Sequence, residues 1–179
     1  MFGKEFETLP YGQWKILQEI KIRGRFISLS TNLEYYIIKI ILYSDTKNPE
    51  TTRKFKVLPL SKKLSWMKED LEKHFPKEFN SLAYTFDLLE NKLLTIRNHM
   101  AHCEMFFDEN ENDRSFIEIR DIMFIDGENK FEKIRYTLNE LQEAIDEFIK
   151  INAELLKIWG TLVEDYILNH PDSSNTVSL

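Results

Sequence analysis

The stretch Leu82–Phe107, LAYTFDLLENKLLTIRNHMAHCEMFF, decides how the chain is read. Leu82, Phe86, Leu89, Leu93, Ile96, Met100, Cys103 and Phe107 recur at alternating four- and three-residue steps. That spacing predicts one wide apolar face of a helix, turned into a core. At about 100° per residue, Leu94, Asn98, Ala101 and Met105 form a second stripe nearly opposite the first. A helix covered on both faces needs a neighbour on each side, and in a small domain the second neighbour is often another subunit. Arg97 and His102 fall one on each side of that second stripe, about 140° apart on a straight helix. The expectation is that they do not converge within one chain, and that a twofold dimer through Leu94, Asn98, Ala101 and Met105 brings the Arg of one copy to the His of the other.

The totals set the frame. A chain of 179 residues is long enough for one domain with a proper core. Five Gly and five Pro predict few loops and long helices. One cysteine excludes an internal disulfide, and its place on the apolar stripe fits a reducing cytoplasm and a core role. The start, MFGKEFETLP, has acids where a signal peptide has an apolar run. No run of eighteen apolar residues predicts a membrane span. A net charge of −6 argues against non-specific coating of nucleic acid. The charge is uneven: Thr51–Lys68 carries six bases and no acid, and Glu104–Asp113 five acids and no base.

Working outward, residues 13–43 read as a long helix or two in tandem, with a stripe of Ile22, Phe26, Leu29, Leu33, Tyr36, Ile40 and Tyr43. Gly24 and the Thr31/Glu34 capping-box spacing favour a restart; the unbroken apolar period favours continuity. A basic connection follows, then a helix from about Ser61 to His74 with Ser61 as N-cap, ended by Pro76. After the acidic run Asp108–Asp113, the segment SFIEIRDIMFID, the turn signal Asp126-Gly127 and KFEKIRY predict a short hairpin. Thr137 and Glu140 are spaced as a capping box opening a last helix, striped by Leu141, Ile145, Phe148, Asn152, Leu155, Trp159, Leu162 and Tyr166. The expected fold is all-α, an antiparallel four- to five-helix bundle with a β-hairpin inserted before the last helix, spanning 1–169, with 170–179 a frayed tail.

The hexamer Arg97-Asn98-His99-Met100-Ala101-His102, RNHMAH, resembles the signature of the HEPN superfamily: an arginine, a polar residue, and a histidine after a gap of four to six. The resemblance also covers the helical architecture and length, roughly 13–166. It implies an all-helical, usually dimeric protein, and for many members a metal-independent RNA endonuclease of toxin–antitoxin, phage-defence or RNA-processing systems. There the RNA 2′-hydroxyl is the nucleophile and the paired motifs meet at the dimer seam. By this resemblance Arg97, Asn98 and His102 take the catalytic positions, and Glu34, within NLEYY, matches more loosely an acidic residue of the family. The hairpin insert departs from the smallest toxins.

The residue types suit that chemistry. An imidazole titrating near neutrality takes or gives a proton. A guanidinium stays charged and matches phosphate oxygens. Asn98, one turn before His102, can orient the imidazole or the phosphate. Neither an acidic cluster nor a Cys/His quartet is present, so no metal and no cofactor is expected. Plainer readings stand beside these. Arg97 and His102 also suit an ordinary surface pair on a helix flank. His99 and His102 have a metal-ligand spacing but lack a convincing third and fourth ligand, and His99 reads better as a supporting group of the bundle. Glu34 also reads as one half of an ion pair. The bases Arg53, Lys54, Lys56, Lys62 and Lys63, with Phe55 and Trp66, suit RNA phosphates and bases, or equally a solvated connection whose aromatics join the core. The expected partners are RNA, a second copy, and an antitoxin or defence partner. The alternative is a catalytically silent HEPN-like bundle that binds RNA, a nucleotide or a protein as a scaffold.

Overall fold

A computed structural model describes residues 9–44, 57–106, 114–125 and 128–169. The chain is mostly helical: α1 (Tyr11–Ser44), α2 (Leu60–His74), α3 (Pro76–Ser81), α4 (Ala83–Leu88), a π-turn (Leu89–Leu93), α5 (Leu94–His102) and α6 (Leu138–Asn169). A small antiparallel sheet, β1 (Glu104–Phe106), β2 (Phe116–Ile125) and β3 (Glu128–Thr137), precedes the last helix. The all-α class with a β insert therefore holds. The residues group into two compact units. One takes the chain up to Ser30 together with Asn91–Ile149; the other takes Thr31–Glu90 together with the chain from Lys150.

α1 is one uninterrupted helix, so neither Gly24 nor the Thr31/Glu34 pair breaks it. The apolar period wins because burial of several large side chains outweighs the roughly 1 kcal/mol cost of one glycine. In the first unit Trp14, Ile22 and Phe26 are buried with Ile96, Met100, Ile117, Ile119, Leu141, Ile145 and Phe148. Phe26 and Phe148 meet edge to face at 5.9 Å. In the second unit the core is Leu33, Ile37, Ile40, Leu64, Met67, Leu71, Leu82, Phe86, Leu89, Leu155 and Leu162.

Several expectations are corrected. The helix before the RNHMAH turn is interrupted by the π-turn, and it ends at His102 instead of running to Phe107. Cys103 turns to an extended backbone (φ −89°, ψ 156°), and the next three residues pair with β2 as Glu104↔Arg120, Met105↔Ile119 and Phe106↔Glu118. The insert is thus three-stranded, its first strand cut from the predicted helix. The Asp126-Gly127 turn, the acidic run and the C-terminal tail lie outside the described residues. Ser61 is not the N-cap of α2: Pro59 holds that place without a side-chain bond, and the helix starts one residue earlier than the expected cap.

The last helix starts as expected. The Glu140 amide donates to Thr137 Oγ1 at 3.1 Å, and Glu140 Oε2 accepts from the Thr137 amide at 2.7 Å. These reciprocal bonds satisfy amides that a helix start leaves without a partner. They also hold the Glu140 carboxyl below its ordinary value, the backbone bond from Thr137 contributing most. A depressed carboxylate adds stability above the unfolded-state value, and that stability is lost as pH falls through the folded-state one. Thr137→Ala should cost about 1 kcal/mol in urea unfolding at pH 7. The difference from wild type should shrink as the pH is lowered past 4; a constant gap would deny the cap this role.

Candidate active site

The RNHMAH turn occupies the C-terminal half of α5, and its orientation follows from the inner face of that helix. Ile96 and Met100 are buried, which leaves Asn98 and His102 exposed and Arg97 and His99 half-buried. Arg97 Nη1 donates to Asn98 Oδ1 at 3.1 Å and approaches His102 Nε2 at 3.5 Å. The expectation that Arg97 and His102 look different ways within one chain is therefore wrong. Their Cα–Cβ vectors do diverge, but the long guanidinium arm spans the five residues, about 7.5 Å along the axis. Helical-wheel angles place side-chain roots, not the ends of long side chains. At 3.5 Å the contact is at the outer limit of hydrogen bonding. The guanidinium can donate there only to an Nε2 that carries a lone pair. Arg97 Nε is buried and has no hydrogen-bond partner.

His99 turns away from this group. Its Nδ1 lies 2.8 Å from the hydroxyl of Tyr136 on β3. Burial, then the neighbouring Cys103 and Glu140, pushes the Tyr136 phenol above its ordinary value, so its hydroxyl keeps its proton around neutrality. The hydrogen bond runs in the direction set by the His99 tautomer, and in either direction it holds the ring in place. His99 and His102 thus have different partners, His99 on β3 and His102 on its own helix. Tyr136→Phe should keep the ring and lose about 1 kcal/mol of stability. Its His99 ¹⁵N chemical shifts should move as the tautomer is released, and unchanged shifts would argue against the bond.

Arg23 is the residue that sequence reasoning missed. From α1 it donates to the Met100 carbonyl at 2.7 Å and the Cys103 carbonyl at 2.6 Å, and Glu19 braces its Nε at 3.0 Å. These are carbonyls that a helix end leaves without an intrahelical partner, and a cation there also meets the negative end of the helix dipole. The bonds fix the turn that carries His102. No spacing rule joins residues 77 and 80 positions apart. An arginine on the half-buried flank of a long helix was the only available signal.

The remaining expected residues are distributed as follows. Met105 does not belong to a helical dimer face: it is on β1 and only 5% exposed. Leu94 and Ala101 stay half-buried and Asn98 exposed. Cys103 is half-exposed at the helix–strand junction rather than in the core. Burial and then Asp121, which accepts its hydrogen bond, push its thiol up, so the thiolate is disfavoured. Glu34 lies in the second unit, where it pairs with Lys63. Lys63 is 1% exposed, so it is a buried ion-pair partner and not a surface base for RNA. Its stem packs inside because α2 turns Lys63, Leu64 and Met67 to the same side. Lys62 is exposed, Trp66 is partly so, and Arg53, Lys54 and Lys56 lie outside the described residues. Among the described residues no helix is long and apolar enough to cross a membrane.

No family model, curated protein or solved structure matches this chain.

Proposed function

We propose that the chain is a metal-independent RNA endonuclease of the HEPN type, working as a homodimer in the cytoplasm as a toxin or defence effector. The observation that supports this reading best is the approach of the Arg97 guanidinium to the His102 imidazole, with Asn98 bonded to the same guanidinium nitrogen. A resemblance of six letters then has a chemical counterpart: a phosphate-binding cation beside a proton acceptor on an exposed helix edge.

In this reading Arg97 holds the scissile phosphate and meets the charge that grows on its oxygens, worth about 3–4 kcal/mol at the barrier. His102 takes the proton from the ribose 2′-hydroxyl as its oxygen attacks phosphorus. The 5′-oxygen leaves with a proton from a second acid, for which the twin's His102 is the natural source in a dimer. Asn98 keeps the guanidinium from folding wholly onto the imidazole. Leu94, Asn98 and Ala101 keep their place as a candidate seam without Met105. An antitoxin or other defence partner would hold the enzyme silent.

The test is cleavage of a labelled single-stranded RNA in EDTA. Wild type should cleave with unchanged rate when chelator is added, leaving a 2′,3′-cyclic phosphate end. Arg97→Ala and His102→Ala should not cleave. Equal residual cleavage by both variants means a contaminant. RNA binding without cleavage by wild type sinks the nuclease reading and supports the scaffold.

A further inference from the structure

The sheet that follows the RNHMAH turn sorts its side chains onto two sides. Met105, Ile117 and Ile119 face the core of the first unit and are buried. The alternate positions make the other side: Glu104 on β1, Phe116, Glu118 and Arg120 on β2, Lys133 and Arg135 on β3. The side chains of Lys133 and Arg135 are 61% and 56% exposed, and that of Arg120 30%. Glu118 shares their side of the sheet, yet its side chain is only 6% exposed. Water therefore meets the cations and hardly touches the carboxylate beneath them.

Glu118 is the hub of this side. Its Oε2 accepts from Arg135 Nε at 3.3 Å, and its Oε1 lies 3.3 Å from Lys133 Nζ and 3.9 Å from Arg120 Nε. One carboxylate thus serves three cations. Among the described residues Glu104, opposite Arg120, is the other acid on this side, which leaves it net positive. The whole chain leans the other way, with 30 acidic and 24 basic residues. The register sharpens the point, because Arg120 stands directly opposite Lys133. Like charges directly opposed weaken a sheet, so stability alone gives no reason for that pair. An anion bound over them does. We infer that the outer side of the sheet is a phosphate-binding surface that holds single-stranded RNA, with Arg120, Lys133 and Arg135 as its cations.

Two observations favour an RNA backbone over an acidic protein segment. The first is the state of Arg135. Glu118 holds its Nε, and its guanidinium lies 4.6 Å over the Phe116 ring. A guanidinium fixed flat on an aromatic ring is a fork set in advance for phosphate oxygens, and little order is lost when it binds. Cations interleaved with aromatic rings are also the usual make-up of single-strand surfaces. The second is place. The sheet and the RNHMAH turn belong to one unit, and β1 starts two residues after His102. Glu104, Arg120 and Lys133 are neighbours across the three strands, a row about 10 Å wide. The backbone of Lys133 is therefore no more than about 17 Å from that of His102, a span of a few nucleotides. An RNA with its scissile phosphate at Arg97 and His102 reaches the row directly. The choice of ligand rests on the nuclease reading of that turn; the cationic surface does not.

The experiment is fluorescence anisotropy of a short labelled oligouridine on the full chain carrying His102→Ala, so that cleavage does not intervene. Lys133→Gln and Arg135→Gln should each raise the dissociation constant about threefold to tenfold. Each should also lower the slope of log affinity against log salt by about 0.7, the share of one phosphate contact on a single strand. Lys133→Arg and Arg135→Lys keep the charge and should keep the wild-type slope. Lys157→Gln, the same charge change at an exposed lysine of the other unit, should alter neither quantity. Both sheet positions are exposed, so melting temperatures should stay within a few degrees of the parent chain. Wild-type affinity and slope in the Lys133→Gln/Arg135→Gln double variant overturn the inference, as does an equal loss in Lys157→Gln. An oligoglutamate peptide that binds as tightly as the RNA, and is released by the same two substitutions, makes an acidic protein segment the ligand and also overturns it. Cleavage by the chain with His102 intact is scored apart. RNA held on the sheet without cleavage sinks the nuclease reading alone, and cleavage undiminished in the double variant sinks the surface alone.

Discussion

Replacing His102 with alanine should lower the rate of RNA cleavage in EDTA by roughly 10²–10⁴-fold, the range spanned by removal of a positioned general base. Arg97→Ala should lose about 10²–10³-fold, as expected for one preorganised donor to a transition-state oxyanion. Arg97→Lys should recover little, because an ammonium lacks the planar fork that contacts two phosphate oxygens and Asn98 together. The effects should not add. If the two groups act on one phosphate, the double variant should be hardly worse than His102→Ala alone. Melting temperatures should stay within a few degrees of wild type, since His102 is exposed and Arg97 half-buried at the edge of the unit. Loss of activity together with loss of fold would carry no weight for catalysis. Additive losses in a folded double variant would mean that the residues act independently, and the paired chemistry would have to be abandoned.

Arg23→Met should cost about 2–4 kcal/mol in equilibrium unfolding. The guanidinium makes two charge-assisted bonds to backbone carbonyls, each worth about 1.5–3 kcal/mol, and methionine replaces only the packing of the stem. For a chain of this size that is a fall of roughly 5–15 °C in melting temperature. Arg23→Lys should recover less than half of it. One ammonium can reach one carbonyl well but cannot span those of Met100 and Cys103 in the same plane. Amide hydrogen exchange gives the specific reading: protection at Ala101, His102 and Cys103 should fall before the rest of α5 loosens. Uniform loss of protection across the unit would show that Arg23 serves general stability and not the end of this helix. Its catalytic echo would be a lower kcat with little change in KM, as expected when a turn carrying a proton-transfer group loses its fixed place.

What the sequence determined by itself rests on local and periodic physics. The apolar faces of α1, α5 and α6, the stop at Pro76, and the Thr137/Glu140 cap are each written within a few neighbouring residues. Each follows from a helical repeat or a fixed hydrogen-bond spacing, and each is found, the face of α5 only as far as Met100. The Arg97–Asn98–His102 grouping is legible as residue types within one hexamer.

Tertiary structure alone decided where α5 stops, because no glycine or proline marks His102. The helix yields there since Met105 gains a place beside Ile119 in a sheet, and since an arginine 77 positions earlier accepts the task of holding the freed carbonyls. The same kind of long-range pairing buries Lys63 against Glu34, a base that the sequence placed among surface cations. The Arg97 arm, by contrast, reaches its own helix's His102 through its length alone, although root angles on a wheel point the two apart. Periodicity reports the direction in which a side chain leaves the backbone; what its far end meets depends on partners that only folding brings near.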